Sequence, residues 1–173
     1  MKLTPMMEKY VLHWGEMGTR WGVNRTIAQI HAVLFLSSEA LHAEEIAETL
    51  SIARSNVSTS IKELQSWGLV KLVHVLGDRR DHFESLKDPW EMSFIILEQR
   101  KQREIDPTLS VLRECLLEEK HDQETPKDIK ARIASVLEFM ENMTSWYDQM
   151  KNVPRPILNK LVQYGPKVIK FLK

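Results

Sequence analysis

The sequence has 173 residues, of which 43% are hydrophobic, and its 24 basic residues balance its 24 acidic ones. A chain of this length can bury one domain core plus an appendage, while the charge balance excludes attraction of nucleic acid by the protein's overall field. The single cysteine, Cys115, excludes an internal disulfide, and without a secretion signal or a long apolar run we expect a cytoplasmic protein that does not span a membrane.

Two helices are predicted at the start of the chain. Along the first, residues 5–22, apolar side chains recur at helical steps, and Gly15, Gly18 and Gly22 follow one side. The glycine spacing does not fit a phosphate-binding loop, so we expect close packing against another helix, of this chain or of a second subunit. The second helix, residues 25–37, is apolar around most of its circumference and is therefore predicted to lie centrally.

The stretch that follows predicts a winged helix-turn-helix. Apolar side chains mark one face of each of two short helices: Ile46, Ala47 and Leu50 in the first, and Val57, Ile61 and Leu64 in the second. Gly68 follows as a helix-ending glycine, and strand-forming residues come after it. Gly77 and Asp78 are turn residues, so the chain should fold back there as a β hairpin, the wing.

The opposite side of the second helix is polar and suits a DNA surface. Short hydroxyl and amide side chains and one lysine can hydrogen-bond base edges in the major groove: Ser55, Asn56, Ser58, Thr59, Lys62 and Ser66. Arg54 at the helix start suits a phosphate, and Arg79 and Arg80 at the hairpin tip suit the minor groove. The net charge from residue 54 to residue 81 is only +2 (five basic, three acidic residues), so a winged-helix protein-interaction module without DNA binding stays open.

These landmarks carry a family resemblance. Residues 43–81 resemble the DNA-binding core of MarR-type regulators through Glu45-Ile46-Ala47, Val57-Ser58, Gly68-Leu69-Val70 and Gly77-Asp78-Arg79-Arg80. The longer pattern is similar to the GbsR branch, with Trp14-Gly15, Arg54-Ser55-Asn56, Trp67-Gly68, Asp88-Pro89-Trp90-Glu91 and Arg103-Glu104-Ile105-Asp106-Pro107. The resemblance implies a recognition helix in the major groove, with contacts from Arg54, Asn56, Ser58, Lys62, Arg79 and Arg80. One departure is Ala53, where such proteins often carry a Ser or Thr cap; this shifts the expected cap to Ser55.

Helices are predicted for the rest of the chain, at residues 88–105, from 107 to 117, and from 126 onward, each after an acidic or hydroxyl residue followed by proline. The last of them has apolar residues at alternating steps of four and three, which is a coiled-coil seam: Ile129, Ile133, Val136, Met140, Met143, Tyr147 and Met150. A kinked tail adds further apolar residues: Ile157, Leu158, Leu161, Val168, Ile169 and Leu172.

The predicted fold class is mainly α: a winged helix-turn-helix with a small two- or three-stranded β wing, and a C-terminal helical dimerisation region. The predicted division is 1–87 for the DNA-binding domain and 88–173 for the helical region. Specific regulators usually pair two modules on half-sites roughly 34 Å apart, so we expect a homodimer on double-stranded DNA. The seam can serve as the twofold interface or close a bundle within one chain, and both arrangements stay open.

The resemblance also bears on effectors, since the GbsR branch includes sensors of choline-like compounds. An aromatic cage would bind such a cation, and Trp90, Phe94, Trp146 and Tyr147 are the candidate residues. Aromatic residues at helical spacing usually belong to the core, and that interpretation stands beside the cage. The sequence therefore predicts a choline-like small-molecule effector only as an addition to DNA binding.

Catalysis and metal binding find no support in the sequence. His42 and Glu45 lack the second histidine of a zinc-protease helix, and the serines of the recognition helix lack an activating histidine and aspartate. His74 and His82 can face each other across the wing hairpin, where an ordinary polar pair is favoured over a metal site. We predict no enzyme, no cofactor and no metal, but a dimeric repressor that occludes promoter DNA.

Overall fold

The computed structural model describes residues 1–118 and 122–168. The chain divides into two compact units, Met1–Ile96 and Leu97–Lys173. This boundary falls inside the fifth helix, whereas the division predicted from the sequence follows residue 87. No helix among the described residues is both long and apolar enough to cross a membrane.

The first unit contains helices and a small sheet in the order of a winged helix-turn-helix. Its elements are α1 (Pro5–Arg20), α2 (Arg25–Leu36), β1 (Leu41–His42), α3 (Ala43–Leu50), α4 (Arg54–Ser66), β2 (Val70–Val73), β3 (His82–Ser85) and the start of α5 (Pro89–Arg100). The three strands are antiparallel in the order β1-β3-β2, which confirms a wing of three strands.

Helix α2 lies at the centre of this unit, as its all-round apolar sequence predicts. Ile30, Val33 and Leu34 are at most 1% exposed and pack with the apolar faces of α3 and α4, where Ile46 and Val57 are fully buried. This core fixes the orientation of α4, because the side of α4 that faces α2 cannot turn outward without exposing these side chains to water.

The glycine notch of α1 packs against α2 of the same chain. A Cβ at Gly18 would lie 2.5 Å from the Cβ of Ala28, and a Cβ at Gly15 would lie 2.7 Å from the Cγ of Gln29. Gly22 is not part of the notch: it follows the helix in a turn with φ +75°. The close approach predicted from the glycine spacing is therefore made by two of the three glycines.

The wing differs from the sequence expectation in its histidines. His82 is paired in register with Val73 of β2 and with His42 of β1, while His74 lies beyond the end of β2 and is exposed. The expected pair of His74 and His82 is therefore wrong. The cause is the third strand, which places His42 on the other side of β3, where its ring centroid lies 5.5 Å from that of His82.

The start of α4 also differs from the expectation. The helix begins at Arg54 with Ala53 as its N-cap, no side chain caps it, and Ser55 lies inside the helix. The expected cap at Ser55 is therefore wrong. Ala53 can begin the helix because its extended backbone directs its carbonyl to the N–H groups of Asn56 and Val57, at 3.0 and 3.3 Å. The end is as predicted, with Gly68 in the left-handed region at φ +78°.

The second unit consists of helices. They are the end of α5, a π-helical turn (Lys101–Ile105), α6 (Asp106–Glu118), α7 (Lys127–Lys151) and α8 (Arg155–Val168). The Asp106-Pro107 start signal does not interrupt the helix: α6 continues directly from the π turn. The wider turn changes the hydrogen-bond register ahead of Pro107, which has no N–H and would clash in a regular α-helix.

The predicted seam of α7 is only partly covered within this chain. Leu137, which is not a seam residue, is 9% exposed, whereas Val136 and Met143 of the seam are 48% and 49% exposed. In the tail, Leu158 is buried, whereas Ile169 and Leu172 lie outside the described residues, as do residues 119–121.

Candidate nucleic-acid interface

One face of α4 is polar and open to solvent. The predicted contact residues of this helix are all exposed: Arg54, Ser55, Asn56, Ser58, Thr59 and Lys62. On the opposite face Val57, Ile61 and Leu64 are at most 2% exposed. The helix thus presents hydrogen-bonding side chains on a surface held outward by its buried face, which is the arrangement needed to reach base edges in a major groove.

The N-terminus of α4 adds two features that suit a phosphate. No side chain accepts from the first backbone N–H groups, and the exposed Arg54 stands beside them. The Nε of Arg54 lies 2.7 Å from Oε1 of Glu44. The pKa of Glu44 is lowered, first by its own backbone N–H and then by the side chains of His42 and Arg54. The carboxylate therefore stays charged and orients Arg54.

Arg80 of the wing is held by two neighbours. Its Nε lies 2.9 and 3.0 Å from the carboxylate oxygens of Asp78, its Nη2 also donates to that carboxylate, and its Nη1 lies 2.7 Å from Nε2 of His42. Hydrogen bonds from Arg80 lower the pKa of Asp78, and in return the carboxylate raises the pKa of the guanidinium.

Arg79 is placed differently from Arg80. It is exposed, and in the part of the chain that the structure describes no carboxylate forms an ion pair with it. Sequence reasoning treated the two arginines alike, and it did not find the roles of His42, Glu44 and Asp78. A signal was present in the capping-box spacing of His42 and Glu45, but histidine is not among the usual capping residues.

A cleft joins α3, the start of α4 and the wing. Its volume is about 380 Å³, and its lining is mostly polar: Ala43, Glu44, Arg54, Ser58, Arg79, Arg80, Asp81 and Phe83. Three arginines from two separate elements thus converge on one opening, although the whole chain is neutral. Glu44 and Asp81 line the same opening, so its net charge is +1 (three arginines minus two carboxylates), a weak local attraction for phosphate in a protein without a positive overall field.

The four aromatic residues predicted to bind an effector fall into pairs. Trp90 and Phe94 stack in the first unit with centroids 6.1 Å apart, while Trp146 and Tyr147 belong to the second unit, where Trp146 is 57% exposed. Nζ of Lys151 lies 5.6 Å from the centroid of the Tyr147 ring. Burial, followed by Glu98, raises the pKa of Tyr147 to about 12. The cage stays a prediction.

Metal binding has no geometric support in residues 1–118 and 122–168, where no three histidine, cysteine or acidic side chains cluster suitably. The rings of His42 and His82 form hydrogen bonds, and their centroids lie 5.5 Å apart.

Comparison with known proteins identifies the class. Residues 21–81 match the family model described as MarR family, and this segment runs from α2 through the tip of the wing. The winged helix-turn-helix of this chain is therefore similar to that of the MarR family.

Similarity to individual proteins extends beyond this segment. The chain is 22% identical over 155 residues to the HTH-type transcriptional repressor GbsR of Bacillus subtilis (strain 168), covering 88% of this chain and 82% of that protein. A crystal structure described as a transcriptional regulator matches with a TM-score of 0.61 at 18% identity, over 84% of this chain and 95% of the other. A possible transcriptional regulator from Methanosarcina mazei Go1 matches with a TM-score of 0.45 at 13% identity, over 57% and 83%. The resemblance to MarR-type regulators of the GbsR branch is confirmed, and the family is one of regulators rather than enzymes.

Proposed function

We propose that this protein is a cytoplasmic dimeric repressor that binds a promoter operator through α4 and the wing of each subunit. The observation that carries the proposal is the outward polar face of α4 beside a cleft with three arginines. In this arrangement Asn56, Ser58 and Lys62 contact base edges, while Arg54 and Arg79 contact phosphates or the minor groove. Occupation of a promoter by two such modules excludes other proteins from it.

Dimerisation is supported by the uncovered apolar surface of α7. Val136, Phe139, Met143 and Trp146 are each 48–65% exposed, which is unusual for large apolar side chains on one helix. A second copy of this helix would remove these side chains from water. It would also supply the second reading module, since one helix-turn-helix contacts too few base pairs to be specific.

An effector would act through the same dimer. A choline-like cation held by Trp90 and Phe94, or by Trp146 and Tyr147, would change the spacing of the two recognition helices and so the affinity for the operator. Titration with choline and with glycine betaine, followed by tryptophan fluorescence and melting temperature, tests this part. No change in either signal would remove the effector from the proposal and leave DNA binding in place.

The alternative, a protein-interaction module, predicts no DNA affinity. Sequences selected by the protein from a random duplex pool should bind more tightly than unselected duplexes, with affinity falling steeply as salt rises. Arg79→Ala should weaken binding to both kinds of duplex, whereas Asn56→Ala should act mainly on the selected sequence.

The matched control is Lys9→Ala, an exposed cation of α1 outside the interface, which should leave both affinities unchanged. Failure to select any sequence, together with affinity that does not respond to salt, would favour the protein-interaction module. Equal losses on both duplexes for Asn56→Ala would contradict the assignment of α4 to base contacts.

A further inference from the structure

The buried imidazole of His42 connects α3 to the wing. His42 is 8% exposed and stands between β1 and α3, where its backbone N–H donates to the carboxylate of Glu45 at 3.0 Å. Its Nε2 lies 2.7 Å from Nη1 of Arg80, which is 38 residues later in the chain. Apart from Asp78 and this imidazole, no side chain among the described residues is seen to bind the Arg80 guanidinium.

This contact defines the protonation state of His42. A guanidinium donates hydrogen bonds and cannot accept them, so Nε2 of His42 must accept and must carry no proton. The proton of the neutral ring is then on Nδ1, which donates to Oε2 of Glu44 at 3.0 Å. In this tautomer the longer 3.4 Å contact between the backbone N–H of Glu45 and Nδ1 is not a hydrogen bond.

We propose that His42 is a positioning residue for Arg80, and that protonation of His42 frees Nη1 of Arg80 to contact DNA and strengthens binding. The proposal rests on the proposed function, because it concerns the regulation of the same interface. A proton on Nε2 would convert its contact with Arg80 from a hydrogen bond into a repulsion between two cations.

The protonated ring has an acceptor ready. Oε2 of Glu45 lies 3.4 Å from Nε2, so a protonated His42 keeps Glu44 on one nitrogen and gains Glu45 on the other. From α3 the groups that face His42 are therefore two carboxylates. Both stay within reach of the ring when its contact with Nη1 of Arg80 is broken.

The wing presents three titratable or charged groups to His42: Arg80, Asp78 and His82. The ring of His82 stands perpendicular to that of His42, and its Nδ1 lies 2.9 Å from the backbone oxygen of Arg80, to which it donates. Its Nε2 lies 3.6 Å from Oδ2 of Asp78. Arg80 keeps Asp78 when His42 is protonated, so the wing tip stays folded while Nη1 becomes available to a phosphate.

The expected effect follows from one additional phosphate contact. One added phosphate contact steepens the slope of log affinity against log salt concentration by about 0.9. Near 0.1 M salt this corresponds to an affinity roughly fivefold to tenfold higher than without the contact. The two conditions to compare are about pH 7.5 and about pH 6, since histidine is the side chain whose charge can change in the physiological range.

The test measures fluorescence anisotropy of the full-length chain on one duplex at both pH values. The wild type should bind more tightly at the lower pH, with a steeper salt slope. His42→Asn removes the Nε2 contact and places one of the usual helix-cap residues at this position, so Nη1 of Arg80 should be available at both pH values. The variant should bind at the higher pH at least as tightly as the wild type and should show no gain at the lower pH. The control variant His74→Asn removes an exposed histidine of the same wing and should retain the gain in affinity at the lower pH. Thermal melting at both pH values verifies that each variant is folded.

Equal gains in the wild type and His42→Asn, or no gain in the wild type, would overturn the proposal. Absence of DNA binding at either pH would instead refute the proposed function. The contact between His42 and Arg80 is tested separately, in the absence of DNA, by the ¹H–¹⁵N spectrum of the imidazoles. At about pH 7.5 His42 should carry its proton on Nδ1, and a proton on Nε2 would overturn the positioning role.

Discussion

The buried histidine of α2 makes stability depend on pH in a way that one substitution should remove. His31 is 3% exposed, its Nε2 has no hydrogen-bond partner among the described residues, and its ring lies between Trp14 and Phe35 at centroid distances of 6.2 and 6.3 Å. Burial, with a smaller contribution from the charge of Lys87, lowers the pKa of His31 from 6.5 to about 4.

The direction of the effect follows from which state binds the proton. Because the folded-state pKa of His31 is lower than 6.5, the unfolded chain takes up the proton first as the pH falls. The contribution of uncharged His31 to the free energy of unfolding is therefore fully present above about pH 6.5 and is lost as the pH falls toward 4. Between about pH 7.5 and pH 5 this single group should remove about 2 kcal/mol from the free energy of unfolding.

The substitution His31→Phe keeps an aromatic ring and removes the titrating group. A cavity of about 50 Å³ beside His31 leaves room for the slightly larger ring. Urea unfolding at about pH 7.5 and pH 5, at one protein concentration, should give a smaller loss of stability for the variant than for the wild type, by about 2 kcal/mol. His13→Asn, at an exposed position of α1, should keep the loss of the wild type. The same loss in His31→Phe would refute the uncharged, buried state of His31.

Two further substitutions test the packing around α2. Gly18→Ala should lower the free energy of unfolding by about 1–3 kcal/mol because its Cβ would meet the Cβ of Ala28 at 2.5 Å. Gly15→Ala meets only the flexible side chains of Gln29 and Arg25, so it should be neutral or stabilising, and equal losses for the two variants would contradict the notch. Lys87→Met removes three hydrogen bonds, of 2.6, 2.8 and 2.6 Å, from Nζ to carbonyls at the end of α2. The free energy of unfolding, measured by urea titration, should fall by about 1–3 kcal/mol. An unchanged value would contradict a stabilising role for these hydrogen bonds.

The orientation of the recognition helix is predictable from sequence because it depends on local periodicity. Val57, Ile61 and Leu64 recur at helical spacing, so burying them turns the polar side outward whatever the details of the neighbouring helices. The hairpin of the wing and the central position of α2 follow in the same way, from strand-forming residues, a turn signal and an apolar circumference. The third strand, β1, does not, since the sequence left the wing at two or three strands.

The differing roles of Arg79 and Arg80 could not be predicted, because they depend on a contact between distant parts of the chain. The two residues are adjacent and chemically identical, yet only Arg80 reaches His42, across β1 and β3. The π turn before Pro107 is another such case, since the proline signal marks a helix start without showing whether the preceding helix stops.

Cleavage of DNA from a reagent attached to α4 tests most directly whether this helix enters the major groove. Cys115→Ser removes the natural cysteine, and Thr59→Cys then carries an iron–EDTA group on the outer face of α4. Asn142→Cys, exposed on α7, is the control. We expect two clusters of strand breaks in a selected duplex, roughly 34 Å apart, from the Thr59→Cys protein and not from the control. Binding without cleavage from Thr59→Cys, or the same cleavage from both proteins, would contradict the assignment of α4 as the helix that reads DNA.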